Sequence, residues 1–174
     1  FIYKIRPSGL AVLNISELDN RLKYAADVLD RYKKILVVCY KDVGREPAKQ
    51  FAGVIGASSI IGRLMPVSLT NPSFKDFFEP DIMVMTDPAS DKQALKEAVK
   101  MRIPIIALAD TFNDTSCIDL VLPCNNKGKK SLALVYWILA GAIMEKRGEP
   151  FKLKPEDFGY EVVEQEKEIV EEEV

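Results

Sequence analysis

Two short stretches of this chain, 34–39 (KILVVC) and 103–109 (IPIIALA), carry apolar cores with no polar alternation. A strand with one wet face alternates apolar and polar residues; an unbroken run fits a strand buried on both faces, as in a parallel sheet covered by helices. The segments between and around these runs show helical spacing. Leu18, Leu22, Ala25, Ala26 and Leu29 recur on one face up to about Arg31, and Phe51, Ala52 and Ile55 do so after a turn at 41–46. Strands alternating with amphipathic helices argue for an α/β fold with a parallel sheet. Right-handed crossovers would place helices on both faces.

The clearest unit is 120–145 (LVLPCNNKGKKSLALVYWILAGAIME), an apolar strand, a basic turn and a long apolar helix in succession. Taken in order, the chain reads as an edge strand or arm at 1–6, a short strand at 10–15 and a helix capped by Ser16. A buried strand follows at 34–39, then a helix with Pro47 at its first position and a brief strand at 58–61. Further strands are expected at 81–85, 103–109 and 118–122. A helix opened by a Ser90–Gln93 capping box fills the gap to about Arg102, and a last helix runs from about Lys129 to Arg147. Residues 62–80 break the rhythm with three prolines and Phe74, Phe77 and Phe78. An aperiodic stretch of that length is either functional or a crossover packed by its own aromatics.

At 174 residues with 48% hydrophobic content, the chain can bury one core. The net charge of −2 conceals a division. Residues 152–174 hold nine acidic and three basic side chains, whereas the first 151 residues carry a net +4. We expect a single α/β domain over 1–150 and an acidic tail over 151–174, mostly disordered or docked on a partner. Cys39, Cys117 and Cys124 form no CxxC pair, and reduced thiols point to the cytosol. The longest apolar run, 132–144, is too short to span a bilayer, and no secretory signal is visible. The chain starts at Phe1 without an initiator Met, consistent with a trimmed product or a fragment. It contains no histidine, so its residues build no His-based triad or imidazole acid–base step.

In open α/β sheets, ligands bind beyond the carboxyl ends of the strands. Polar residues fall there in three places: Thr86 and Asp87, Asp110 and Thr111, and 125–130. Asp87 and Asp110 near a basic turn admit a small-molecule or nucleotide-binding enzyme, with Mg²⁺ or a phosphoryl group between them. No nucleophile–base pair accompanies them. The turn NNKGKKS resembles a phosphate loop but fails GxxxxGK[ST] twice: Pro123 stands at the first Gly, and Lys130 where Ser or Thr belongs. Three lysines (Lys127, Lys129, Lys130) nevertheless surround a helix start that favours an anion, either a nucleic-acid phosphate or a small ligand. Other cations are scattered, among them Lys4 and Arg6. Arg63 is set apart by opening the proline-rich stretch beside Gly62, where its guanidinium could fork to phosphate.

Three runs, IIGRLMPVSLTNP, EPDIMVMTDPASDKQALKEAVKMRIPIIALADT and DLVLPCNNKGKKSLALVYWILA, closely resemble the small-subunit ribosomal protein two family, the universal S-two family, in its archaeal form. The resemblance covers about residues 1–144. It implies a flavodoxin-like three-layer α/β/α sandwich with a mostly parallel sheet. It also implies a non-enzymatic role, in which small-subunit rRNA and neighbouring ribosomal proteins are bound at the junction of head and body. Cofactors, a membrane and a small-molecule substrate are not expected. Absence of the long helical hairpin of bacterial members, together with a short Glu-rich end, favours the archaeal form. Family members normally carry a preceding segment with a His-Gly motif, which is missing here. The candidate RNA contacts are Arg63, Thr70, Asn71, Lys127, Lys129 and Lys130 at matched motif positions, with Lys4 and Arg6 added from the arm.

Overall fold

The computed structural model describes residues 1–75 and 77–160. The chain opens with an antiparallel ribbon of β1 (Ile2–Ile5) and β2 (Ala11–Leu13), followed by α1 (Ile15–Asp30). Then come β3 (Ile35–Cys39), α2 (Asp42–Ile55), β4 (Ser58–Ile61), β5 (Ile82–Met85), α3 (Lys92–Met101), β6 (Ile105–Ala109), β7 (Leu120–Pro123) and α4 (Lys129–Arg147). A single 3₁₀ turn, Pro155–Phe158, closes the described chain.

Five strands form one parallel sheet in the order β4-β3-β5-β6-β7. In sheet terms this is the doubly wound 2-1-3-4-5 order of flavodoxin-like folds, whose switch point lies between β3 and β5. The unbroken apolar runs have a direct cause: both faces of these strands are covered. Ile35, Val37, Val84, Ile106 and Leu108 face the core shared with α1, α2 and α4. Leu36, Val38, Met83, Met85 and Ile105 face the opposite layer, built by α3 and by Leu64 and Leu69 of the irregular stretch. That stretch therefore covers the sheet where a helix would otherwise lie.

Several boundaries differ from the sequence expectation, for local reasons. α1 opens at Ile15 with Asn14 in the cap position, and no side chain caps it, so Ser16 is not its N-cap. α2 begins at Asp42, which places the buried Pro47 inside the helix rather than at its first position. The Ser90–Gln93 capping box does not form; Asp91 occupies the cap position of α3. Ser90 instead donates to Asp87 and Gln93 to Glu97. Both acceptors are buried carboxylates, which lose more than an exposed helix end does when left without donors. The strands at 10–15, 81–85, 103–109 and 118–122 are shorter or shifted by one or two residues.

The packed body extends past residue 150. Trp137 Nε1 donates to the Leu153 carbonyl at 2.8 Å, and its ring lies 6.1 Å from that of Phe151. Phe158 is fully buried in the core beside α4. Residues 151–160, expected to belong to the tail, thus fold back onto the body because Phe151 and Phe158 are its apolar anchors. The remainder of the expected tail, 161–174, lies outside the described residues.

Candidate nucleic-acid interface

Parallel strands deliver their following loops to one edge, so Tyr40, Thr86, Asp110 and Cys124 emerge together at the carboxyl ends of β3, β5, β6 and β7. Asp87 is the hub of that edge and is only 1% exposed. Its Oδ2 meets Lys41 Nζ at 2.6 Å and accepts Ser90 Oγ at 2.6 Å. Its Oδ1 accepts from Ala89 N, Asn113 Nδ2 and, at 3.3 Å, Asn126 Nδ2. Burial alone would raise this carboxyl, but hydrogen bonds from Lys41, Ser90 and Asn113, together with the Lys41 charge, hold it below the usual carboxylate range. Beneath the hub, Thr86 Oγ1 donates to the Val38 carbonyl and lies 2.7 Å from the Tyr136 hydroxyl, pinning α4 to the sheet.

Asp110 is committed as well. Its Oδ1 accepts from Thr111 N at 2.7 Å, and its Oδ2 pairs with Lys127 Nζ at 3.3 Å. The two carboxylates of the enzyme reading therefore tie loops together, and each already has donors. No group of metal-ligating side chains occurs among the described residues. The three cysteines are free thiols, and burial pushes Cys124 up to about 12.

The basic candidates do not converge on one spot. Lys127 is exposed, pairs with Asp110 and sits 4.5 Å from the centroid of the Phe112 ring. Lys130 faces inward, 5.6 Å from the Tyr160 ring, and Lys129 Cε lies beside Gly159. Arg63 follows β4, at the opposite end of the sheet from β7. Four strand spacings of about 4.8 Å put the two cationic positions roughly 19 Å apart along the same edge. Thr70 is half-buried; the exposed Asn71 accepts from Ser73 N. The loop carrying them is held by the buried Glu97, whose two oxygens accept from Val67 N and Leu69 N. Lys4 and Arg6 lie on the exposed ribbon, which meets α1 through Arg21 stacked 4.4 Å over Phe1.

Phe112 is the position that sequence reasoning missed. It is 86% exposed in the loop after β6, two residues beyond Asp110, and Lys127 reaches over it from the turn between β7 and α4. The available signal was a lone aromatic between Thr111 and Asn113, where no apolar face exists to bury it. An exposed ring beside a lysine can stack a base and hold its phosphate.

A doubly wound sheet whose carboxyl-edge loops are tied together through Asp87 and Asp110 defines a flavodoxin-like α/β scaffold protein. The profile of the family described as ribosomal protein S2 matches residues 74–146. The chain is 49% identical over 150 residues to the small ribosomal subunit protein uS2 of Staphylothermus marinus; the match takes in 85% of this chain and 68% of that protein. The chain belongs to the ribosomal protein S2 family, in its archaeal type. That family is structural and non-enzymatic, which retires the reading of Asp87 and Asp110 as a catalytic pair.

Proposed function

We propose that this protein is a structural component of the small ribosomal subunit in the cytoplasm, where it binds small-subunit rRNA and neighbouring ribosomal proteins at the head–body junction. The observation that carries this reading is the 49% identity to a small-subunit protein over most of the chain. The geometry supports it: the carboxyl edge presents Lys127 with Phe112 near β7 and Arg63 after β4, spaced to meet separate phosphates along a strand of RNA. The body bears the net positive charge that phosphate binding needs.

Filter binding of small-subunit rRNA tests the proposal. Neutralising several phosphates releases counterions, so affinity falls steeply with salt, by tenfold or more between about 50 and 200 mM for a handful of contacts. Affinity that does not change over that range overturns the reading. Sedimentation of the tagged protein with small subunits, followed by cross-linking, then maps the contacts at Arg63, Lys127 and Phe112.

A further inference from the structure

Beside the amino end of α3, where β3 leaves the sheet, lies a cleft of ≈ 290 Å³ walled by Tyr40, Arg63, Leu64, Ser90, Asp91 and Gln93. Its size is at the small end of the roughly 300–1,000 Å³ of ligand pockets, enough for a ring system rather than a whole cofactor. Three of its walls are chemically unfinished. Asp91 is 5% exposed, yet its carboxylate accepts a single long hydrogen bond, 3.4 Å from Tyr40 N. Asp87, four residues earlier, draws donors from Lys41, Ser90, Ala89, Asn113 and Asn126. Asp91 forms no salt bridge with a described residue, the nearby Lys41 being paired with Asp87, and a buried carboxylate with a vacant oxygen calls for N–H donors. Arg63, which also lines the cleft, is exposed and forms no ion pair with a described residue. Tyr40 is 48% exposed and contributes an aromatic wall. Gln93 spends its amide N–H on Glu97, which leaves its carbonyl oxygen to accept.

We infer that this cleft holds one unpaired guanine nucleotide of RNA, with its N1–H and N2–H edge on Asp91, its ring against Tyr40 and its phosphate on Arg63. The inference rests on the RNA-binding reading above and gives that edge a base-specific site. A carboxylate accepts but does not donate, and guanine alone among the bases presents two adjacent donors on its Watson–Crick edge. Uracil sets its single N–H between two carbonyls that would face the carboxylate, while adenine and cytosine offer one donor beside an acceptor nitrogen. A cation and a buried carboxylate in one small cleft suit a ligand that carries both an anion and a donor edge. An arginine from a protein neighbour would satisfy Asp91 but would bring its charge against Arg63. Reading the base edge while stacking its face is how unpaired nucleotides are recognised.

The test is fluorescence anisotropy of the full chain at about pH 8, where Asp91 is mostly ionised, with four labelled RNA hexamers, UUGUUU, UUAUUU, UUCUUU and UUUUUU. The guanine hexamer is expected to bind about tenfold more tightly than the others, the scale of one bidentate base contact. Asp91→Asn keeps the shape and an acceptor for Tyr40 N but brings an amide N–H₂ to the edge, and it should bring the guanine hexamer within about twofold of the rest. Arg63→Ala should weaken all four and lower the salt slope by about 0.7, the value for one single-strand phosphate. Equal affinity of the wild type for the four hexamers overturns the inference, as does an Asp91→Asn protein that folds and keeps the preference. Should that variant fail to fold, Tyr40→Leu decides: a loss of about fivefold or more for the guanine hexamer supports the site, and unchanged affinity removes it. Binding of full-length small-subunit rRNA is read separately. Salt-sensitive rRNA binding without any hexamer preference overturns the guanine site and leaves the broader function standing.

Discussion

Asp87 and Asp91 lie four residues apart at the same sheet edge, both almost fully buried, and their surroundings drive them in opposite directions. Asp87 is ionised at the centre of a donor network; Asp91, for which burial is the largest influence and the Asp87 charge adds to it, is pushed up to about 7. Two predictions follow from that contrast. Asp87→Ala strands Lys41 and leaves Asn113 and Asn126 without their shared acceptor, so urea denaturation should show a loss of about 3 kcal/mol. A loss below about 0.5 kcal/mol, the size of an ordinary surface change, would show that the network is dispensable. Asp91 sets the second. Its unfolded value is near 3.8 and its folded value about 7, so between these the unfolded chain has released a proton that the folded chain still holds. The stabilising contribution of Asp91 is complete below pH 4 and is lost as pH rises through 7. Asp87 works the other way, its contribution present above 3.8 and lost on acidification, but it is common to the wild type and Asp91→Asn. Melting temperatures of the two proteins from pH 4 to pH 8 should therefore diverge in favour of Asp91→Asn as pH rises; a constant gap would refute the assignment.

At the scale of elements, α2 approaches the sheet as closely as its sequence permits. A Cβ at Gly44 would sit 2.8 Å from Cys39 Sγ and 3.0 Å from Thr86 Cγ2, and both of those side chains are fully buried. Neither neighbour has room to retreat, so Gly44→Ala should cost about 2 kcal/mol, read as a lower denaturation midpoint with an unchanged slope. A midpoint equal to that of the wild type would mean the helix can shift outward. Gly44 also marks what was and was not legible in the chain. Element type was readable wherever periodicity reports burial, as in the unbroken ILVVC and IIALA strands and in α4. Starts and caps were not, because donors in this protein serve buried carboxylates before helix ends: Ser90 goes to Asp87 and Gln93 to Glu97. The turn at 41–46 proved to be the first turn of α2, since Pro47 was assigned the commonest proline position rather than the one imposed by packing. Of the proposed contacts, Arg63 and Lys127 are exposed at the edge, whereas Lys130 faces the Tyr160 ring, a contact between distant parts of the chain that no local pattern encodes.

At the scale of the whole molecule, charge is partitioned along the chain. Residues 161–174 contain seven acidic side chains and one lysine, while residues 1–160 carry a net +4. Any polyanion approaching the body is attracted by the net positive residues 1–160 and repelled by the acidic residues 161–174, and both effects act over a Debye length of about 10 Å at 0.1 M salt. Truncation after Tyr160 retains Phe151, Phe158 and the Trp137 contact, so the packed body is kept while six units of net negative charge are removed. The truncated protein should bind small-subunit rRNA more tightly at 50 mM salt, on the order of severalfold, with the advantage shrinking towards 300 mM as screening grows. The same truncation should leave the melting temperature within about 2 °C, because every core residue among those described is kept. Equal affinity at low salt would show that the acidic segment is electrostatically silent towards RNA. Weaker binding would reverse the sign of its role and make it a contributor to the interface.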